Sequence, residues 1–260
     1  MDLITLYLFI TGLFFGSFYN VVALRRVKNE SIVFPASHCV NCNHKLAIYE
    51  LIPVFSYLFL KGKCKKCKKK ISLQYPLIEL LTGILFALSY YIFGFDYYTL
   101  ISIIVVSIAI ITYITDIKEM IILDEIIIIG EILILIIFLI FGGYKESLLH
   151  LGYGIFLFII MLIIKILGDR IFKVESLGWG DVKLSIIAGT VLGPYLGVVY
   201  IFLGSFIALP YALISTFKNK EHIIPFGPFL VTSMLLLLWN MDFVINILNI
   251  LLGVRSWRIK

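Results

Sequence analysis

Two sets of residues in this chain have the types and spacing to do chemistry. The first is Cys39-Val-Asn-Cys42 and Cys64-Lys-Lys-Cys67, two Cys-x-x-Cys pairs with 21 residues between them. Each pair can pinch one ion between two thiolates, and two pairs complete a tetrahedral site for which zinc is the default ion. All four cysteines of the chain are used, so the ion has no open position and its role is structural. Two disulfides are the alternative, disfavoured if the segment stands in the reducing cytosol. His38 and His44 lie close by but four thiolates suffice, and both read as surface residues.

The second set is a pair of carboxylates. Asp181 sits in Glu175–Lys183, ESLGWGDVK, between an apolar run ending near Leu167 and another beginning at Val182. Gly178 and Gly180 free the backbone for a tight turn that delivers the carboxylate to a helix entrance. Asp116, in Thr115-Asp-Ile-Lys-Glu119, likewise closes an apolar run. An aspartyl hydrolase needs two carboxyl groups sharing one proton, one to take a proton from water and one to polarise the scissile carbonyl. Helices packed ~8–10 Å apart can bring such a pair together. The plain alternative for Asp181 is an N-cap. Asp124 rivals Asp116, and the two stand ~12 Å apart along a continuous helix; spacing does not say which meets Asp181. Glu79 and Glu131 lie deeper in apolar runs and should face a helix-bundle interior.

The elements that must position these residues are membrane helices. Of 260 residues, 61% are hydrophobic and 15% charged, against about 25% charged in soluble domains. The chain reads as an all-α polytopic membrane protein of about eight transmembrane helices, with a small cytosolic zinc-binding domain inserted after the first. Residues 1–24 form the first span, retained rather than cleaved; 25–74 form the four-cysteine domain; 75–260 form the membrane core. The later spans are expected near 75–94, 97–115, 121–141, 146–167, a short segment at 182–192, 195–217 with a kink at Pro210, and 226–252. Cytosolic loops are expected at 168–180 and 218–222. Eleven Lys and Arg fall between positions 25 and 70, which places that segment inside and the N-terminus outside. Of the basic residues, Lys145, Arg255, Arg258 and Lys260 are left outside. The net charge of +6 thus follows topology and implies a lipid bilayer, not nucleic acid, as partner.

These residues together resemble the bacterial type IV prepilin peptidases, or leader peptidase/N-methyltransferases. Gly16-Ser-Phe-Tyr-Asn-Val21 with Arg25 is similar to the family's first-span signature, and Pro35 through Pro76 to its cytosolic zinc domain. Gly178-Trp-Gly180-Asp181-Val-Lys183 matches the GxGD motif shared with presenilin-type proteases, and Ile224-Pro-Phe-Gly-Pro228 resembles the entrance of the last span. The resemblance implies that Asp116 and Asp181 are the catalytic pair, with Gly178, Gly180 and Lys183 as motif support. It implies cleavage of prepilin and pseudopilin leaders after a glycine at the cytosolic face of the bacterial inner membrane. It further implies N-methylation of the new terminus with S-adenosylmethionine, since the zinc domain is present. No donor-binding fingerprint is found, and Glu50 and Glu79 are the candidates for a methyltransferase or cleft role. The family commonly has a proline before the second aspartate; here Leu123 precedes Asp124, so a less interrupted helix is expected. Outside the family there remain a zinc-containing scaffold of a pilus or secretion assembly and a transporter using Asp116, Asp181 and Glu131. A peptidase without methyltransferase activity is the alternative within it.

Overall fold

The structure is a computed structural model that describes residues 2–219 and 224–252. The described residues form eight α-helices and a 3-10 turn, with no strand among them. They fall into two compact units, residues 1–99 and 100–260.

In the first unit, α1 (Leu3–Arg26) packs along α3 (Gln74–Phe93). Small residues set how closely. A Cβ on Gly12 would stand 2.7 Å from the Gly83 Cα, and one on Gly16 would stand 2.8 Å from the Glu79 Cα. This is the small-xxx-small device by which apolar helices pack where no hydrophobic force separates helix from lipid. Between α1 and α3 the chain forms the short helix α2 (Phe55–Phe59), the turn Ile48–Leu51 and two isolated bridges, His38 with Lys45 and Lys63 with Lys70. Gln74 Nε2 donates to Asn20 Oδ1 at 3.3 Å, closing the insert at its base.

The second unit holds α4 (Tyr97–Glu119, which begins just before the boundary), α5 (Asp124–Phe172), α6 (Trp179–Asn219), α7 (Gly227–Trp239) and α8 (Met241–Leu252). α5 is one element by its hydrogen bonds but two by its path. Gly143 has φ +82°, ψ 177°, a left-handed φ that glycine adopts without a Cβ clash. The Ser147 hydroxyl donates to the Leu135 carbonyl at 3.0 Å, and the Phe138 and His150 rings stack with centroids 3.7 Å apart. Twelve residues of straight helix would put such partners ~18 Å apart, so the arms 124–142 and 144–172 fold back on each other. α6 breaks in the same way at Gly193 (φ +73°), before Pro194. Gly189 and Gly197, ~12 Å apart on a straight helix, both press on Leu157.

Five helices are long and apolar enough to cross a membrane, or six if α7 and α8 count as one bent span. The chain is thus a multi-pass membrane protein. The expected boundaries differ in several places, the first being that 121–141 and 146–167 belong to one element broken at Gly143. The loop expected at 168–180 shrinks, because α5 continues to Phe172. The segments 182–192 and 195–217 belong to one element with a break rather than a loop between them. The span expected at 226–252 bends by 84° at Asn240. The basic tail and most of the loop at 218–222 lie outside the described residues.

Candidate active site and metal centre

The four cysteine sulfurs lie within 4.8 Å of one another. Cys39 and Cys67 are 3.8 Å apart, Cys42 and Cys64 3.9 Å. Bonds of ~2.3 Å from a tetrahedral zinc place sulfurs about 3.8 Å apart, whereas a disulfide needs ~2.05 Å. The donor set therefore fits a structural zinc site. Each pair is built the same way. The amide after the second cysteine returns to the carbonyl of the first, Asn43 to Cys39 at 2.9 Å and Lys68 to Cys64 at 3.0 Å. Asn43 and Lys68 take left-handed φ of +53° and +61°. The amides of Cys67 and Lys66 also face the Cys64 sulfur and pull its thiol down, while burial and the neighbouring thiols push that of Cys42 up. His38 and His44 stand outside the sulfur cluster.

Glu50 and Glu79 both bond within this unit, and the second oxygen of Glu50 is buried without a hydrogen-bond partner. Glu50 is buried and accepts the Ala47 amide at 2.9 Å and the His44 imidazole at 3.2 Å, which hold its carboxyl below the usual range. Glu79 accepts the Val54 amide at 2.7 Å. Val54 has φ +62°, costly for a β-branched residue, and Glu79 pins it. Both acids thus shape the insert.

The aspartates assemble from three elements of the second unit. Asp116 lies in the last turn of α4 and is 5% exposed. Its Oδ2 accepts the Gly227 amide at 2.9 Å, at the start of α7, where unpaired amides and the helix dipole favour a carboxylate. Glycine keeps this contact undisturbed, since a Cβ at 227 would stand 2.9 Å from that oxygen and 3.0 Å from Ile122, so the carboxylate would have to shift.

Asp181 is the third residue of α6 and is 7% exposed. Its Oδ2 faces the Gly178 amide just outside the helix, the reciprocal half of a capping box. Its Oδ1 is buried and has no hydrogen-bond partner. Asp181 is thus not the N-cap itself: one oxygen caps from the third position of the helix, and the other is unpartnered. Gly178 and Gly180 do not take positive φ; the tight-turn role expected of them is replaced by a need for space. A Cβ on Gly180 would stand 2.8 Å from Ile122, and one on Gly178 3.0 Å from Asp181 Oδ2. Ile122 thus abuts the glycines beside both aspartates, and Asp116 and Asp181 lie within electrostatic range of one another.

Asp124 is placed elsewhere. The chain does break between Asp116 and Asp124, without the proline, at Met120 with φ +53°; the less interrupted helix expected there is not found. Yet Asp124 is taken up by Lys183, whose Nζ is 2.6 and 2.8 Å from its two oxygens. The motif lysine therefore pairs with the rival aspartate. Glu131 accepts the Thr190 hydroxyl at 2.6 Å, while the Thr190 carbonyl binds His150 Nδ1 at 2.6 Å, so Thr190 ties α6 to both arms of α5.

Sequence reading gave no site role to Gly227 or Tyr200. Gly227-Pro228 opening an apolar run is a recognisable helix start, and that signal was available. Tyr200, whose fully buried hydroxyl has no partner and lies in electrostatic range of Asp181, carries none.

Known proteins bear on this arrangement. Residues 10–93 match the bacterial Peptidase A24 N-terminal domain, and residues 103–213 match the type IV leader peptidase family. The prepilin leader peptidase/N-methyltransferase of Bacillus subtilis (strain 168) is 33% identical over 252 residues, 92% of this chain and 95% of that one. The chain belongs to the type IV prepilin leader peptidase family. It is therefore an aspartic peptidase by family. The family's Neisseria gonorrhoeae member is 32% identical over 254 residues, 86% of each chain. The Myxococcus xanthus (strain DK1622) member is 35% identical over 192 residues, 73% of this chain; the chain spans 56% of that protein's length. No solved structure matches the chain.

Proposed function

We propose that the chain removes the leader peptides of type IV prepilins and pseudopilins after a glycine, with Asp116 and Asp181 as the catalytic pair. What supports this reading is that two buried carboxyls, from α4 and α6, lie within electrostatic range of one another, with one oxygen of Asp181 unpartnered. One carboxylate takes a proton from water as its oxygen bonds the glycine carbonyl carbon, and the other, protonated, donates to the carbonyl oxygen. Collapse breaks the C–N bond and a proton goes to the leaving amine. Gly178 and Gly180 give the space this needs, and Lys183 keeps Asp124 apart from the pair.

The names of the relatives support a second step, transfer of a methyl group from S-adenosylmethionine to the new N-terminal amine. The four cysteines hold zinc as a structural ion that organises the insert 25–74 for that step. With α5 and α6 each counted as two arms and α7–α8 as one bent span, the chain makes eight passes of the bacterial inner membrane, aspartates and zinc on the cytosolic side.

The test is cleavage, by purified protein in detergent, of a substrate with a basic leader, glycine, phenylalanine and an apolar helix. The expected result is a cut after glycine that is lost in Asp116→Asn and Asp181→Asn and kept in Asp124→Asn, with a methylated terminus when S-adenosylmethionine is added. Full activity in either dyad variant would sink the pair.

A further inference from the structure

One buried ammonium holds the turn that carries Asp181. Lys165 lies in the second arm of α5 and is 3% exposed. Its Nζ donates to the Leu177 carbonyl at 2.6 Å and to Glu175 Oε1 at 3.1 Å, and pairs with Asp169 Oδ2 at 3.2 Å. It also lies 5.2 Å from the centroid of the Trp179 ring. An ammonium has three N–H groups, so every donor is engaged and an aromatic face covers the cation. The other oxygen of Asp169 accepts the Ser176 amide at 2.7 Å and the Ser176 hydroxyl at 2.8 Å. Lys165 and Asp169 therefore grip residues 175–179 from one helix end.

A lysine serving only helix packing would be expected to meet side chains along the body of α6. Apart from Asp169, one turn on in its own helix, every hydrogen-bond and ring partner of the Lys165 ammonium lies instead on 175–179, and its charge also reaches Asp181. Leu177, its shortest bond, immediately precedes Gly178, the residue that Asp181 Oδ2 faces. We infer that Lys165 is the positioning residue for Asp181, fixing the turn through the Leu177 carbonyl so that the free Asp181 oxygen is aimed at the reacting carbonyl. This rests on the reading of Asp181 as one of the catalytic pair.

The partners Asp169 and Glu175 keep side-chain exposures of 35% and 66%. Without the ammonium they can hydrate rather than stand stranded in an apolar interior. Loss of Lys165 therefore loosens the turn more than it weakens the fold.

The test uses the full chain in detergent with the leader substrate above, comparing wild type with Lys165→Met, Lys165→Arg and Asp181→Asn. Lys165→Met is expected to lower kcat about 100-fold, the scale on which a misplacement of ~1 Å acts, with KM and the thermal unfolding midpoint little changed. Lys165→Arg keeps the charge and donors and is expected to recover most of kcat. Wild-type kcat in Lys165→Met would overturn this inference and leave the aspartate pair intact. So would a Lys165→Met midpoint that falls with kcat, if Lys165→Arg restores the midpoint alone. A wild type that cuts no such substrate, or an active Asp181→Asn, removes the aspartate reading and this inference with it.

Discussion

The four-cysteine insert and the aspartate centre are built on opposite plans. In the insert each Cys-x-x-Cys loop makes its own turn, with the same returning amide and the same left-handed residue after the second cysteine. Its donors are matched to one another and a tetrahedral ion would use them all. The aspartate centre gathers its parts from the end of α4, the start of α6 and the start of α7, and leaves Asp181 Oδ1 without a partner in a buried setting. An unpaired buried polar atom costs stability, and a closed metal site contributes it. The four sulfurs are matched among themselves, whereas the aspartate centre is assembled from distant elements; an unpartnered buried oxygen occurs in both units, at Glu50 Oε1 and at Asp181 Oδ1.

The contrast can be broken most directly at the carboxylates. Asp116→Asn or Asp181→Asn is expected to lower leader cleavage by roughly 10³-fold or more, the upper range for loss of a general acid or base, while circular dichroism and the unfolding midpoint stay near wild type. The opposite signature is expected at the cysteines. Cys64→Ser should abolish stoichiometric zinc by metal analysis and expose the insert to protease, because closed sites of this kind couple folding to the ion by ~10 kcal/mol or more. Cleavage should persist while methylation falls, and equal loss of both would erase the distinction between the centres. A smaller effect is expected at Gly227→Ala. Its Cβ would stand 2.9 Å from Asp116 Oδ2, and a drop in kcat of about 10- to 100-fold follows if the carboxylate is pushed aside. The smallest belongs to Asp124→Asn or Lys183→Met. Their ion pair has side chains 55% and 39% exposed, so about 1 kcal/mol or less is at stake, and a large loss of cleavage in Asp124→Asn would return that residue to the dyad.

How much of each centre was legible in the sequence follows from the same contrast. The cysteine pairs announce themselves because spacing within a loop is local, and two-residue gaps suffice to specify the knuckle. Asp181 was legible through its neighbours, although Gly178 and Gly180 act by making room rather than by bending the chain. Gly227, Lys165 and Tyr200 matter through partners 10 to 111 positions away, and no local period reports such distances. The membrane character was plain from composition, and the breaks at Gly143 and Gly193 fall between the spans expected at 121–141 and 146–167 and at 182–192 and 195–217, whereas the bend at Asn240 has no nearby proline or glycine to announce it. The role of Glu131 became readable only once Thr190 and His150 were seen beside it.

The two cysteine pairs lie on either side of the stretch that separates α1 from α3, and Gln74 bonds Asn20 where those helices meet. An ion held by both pairs would tie the segment that follows α1 to the segment that precedes α3. Its removal by a chelator is then expected to loosen that stretch, read as new protease cleavage between the two pairs, while α1 and α3 keep their packing.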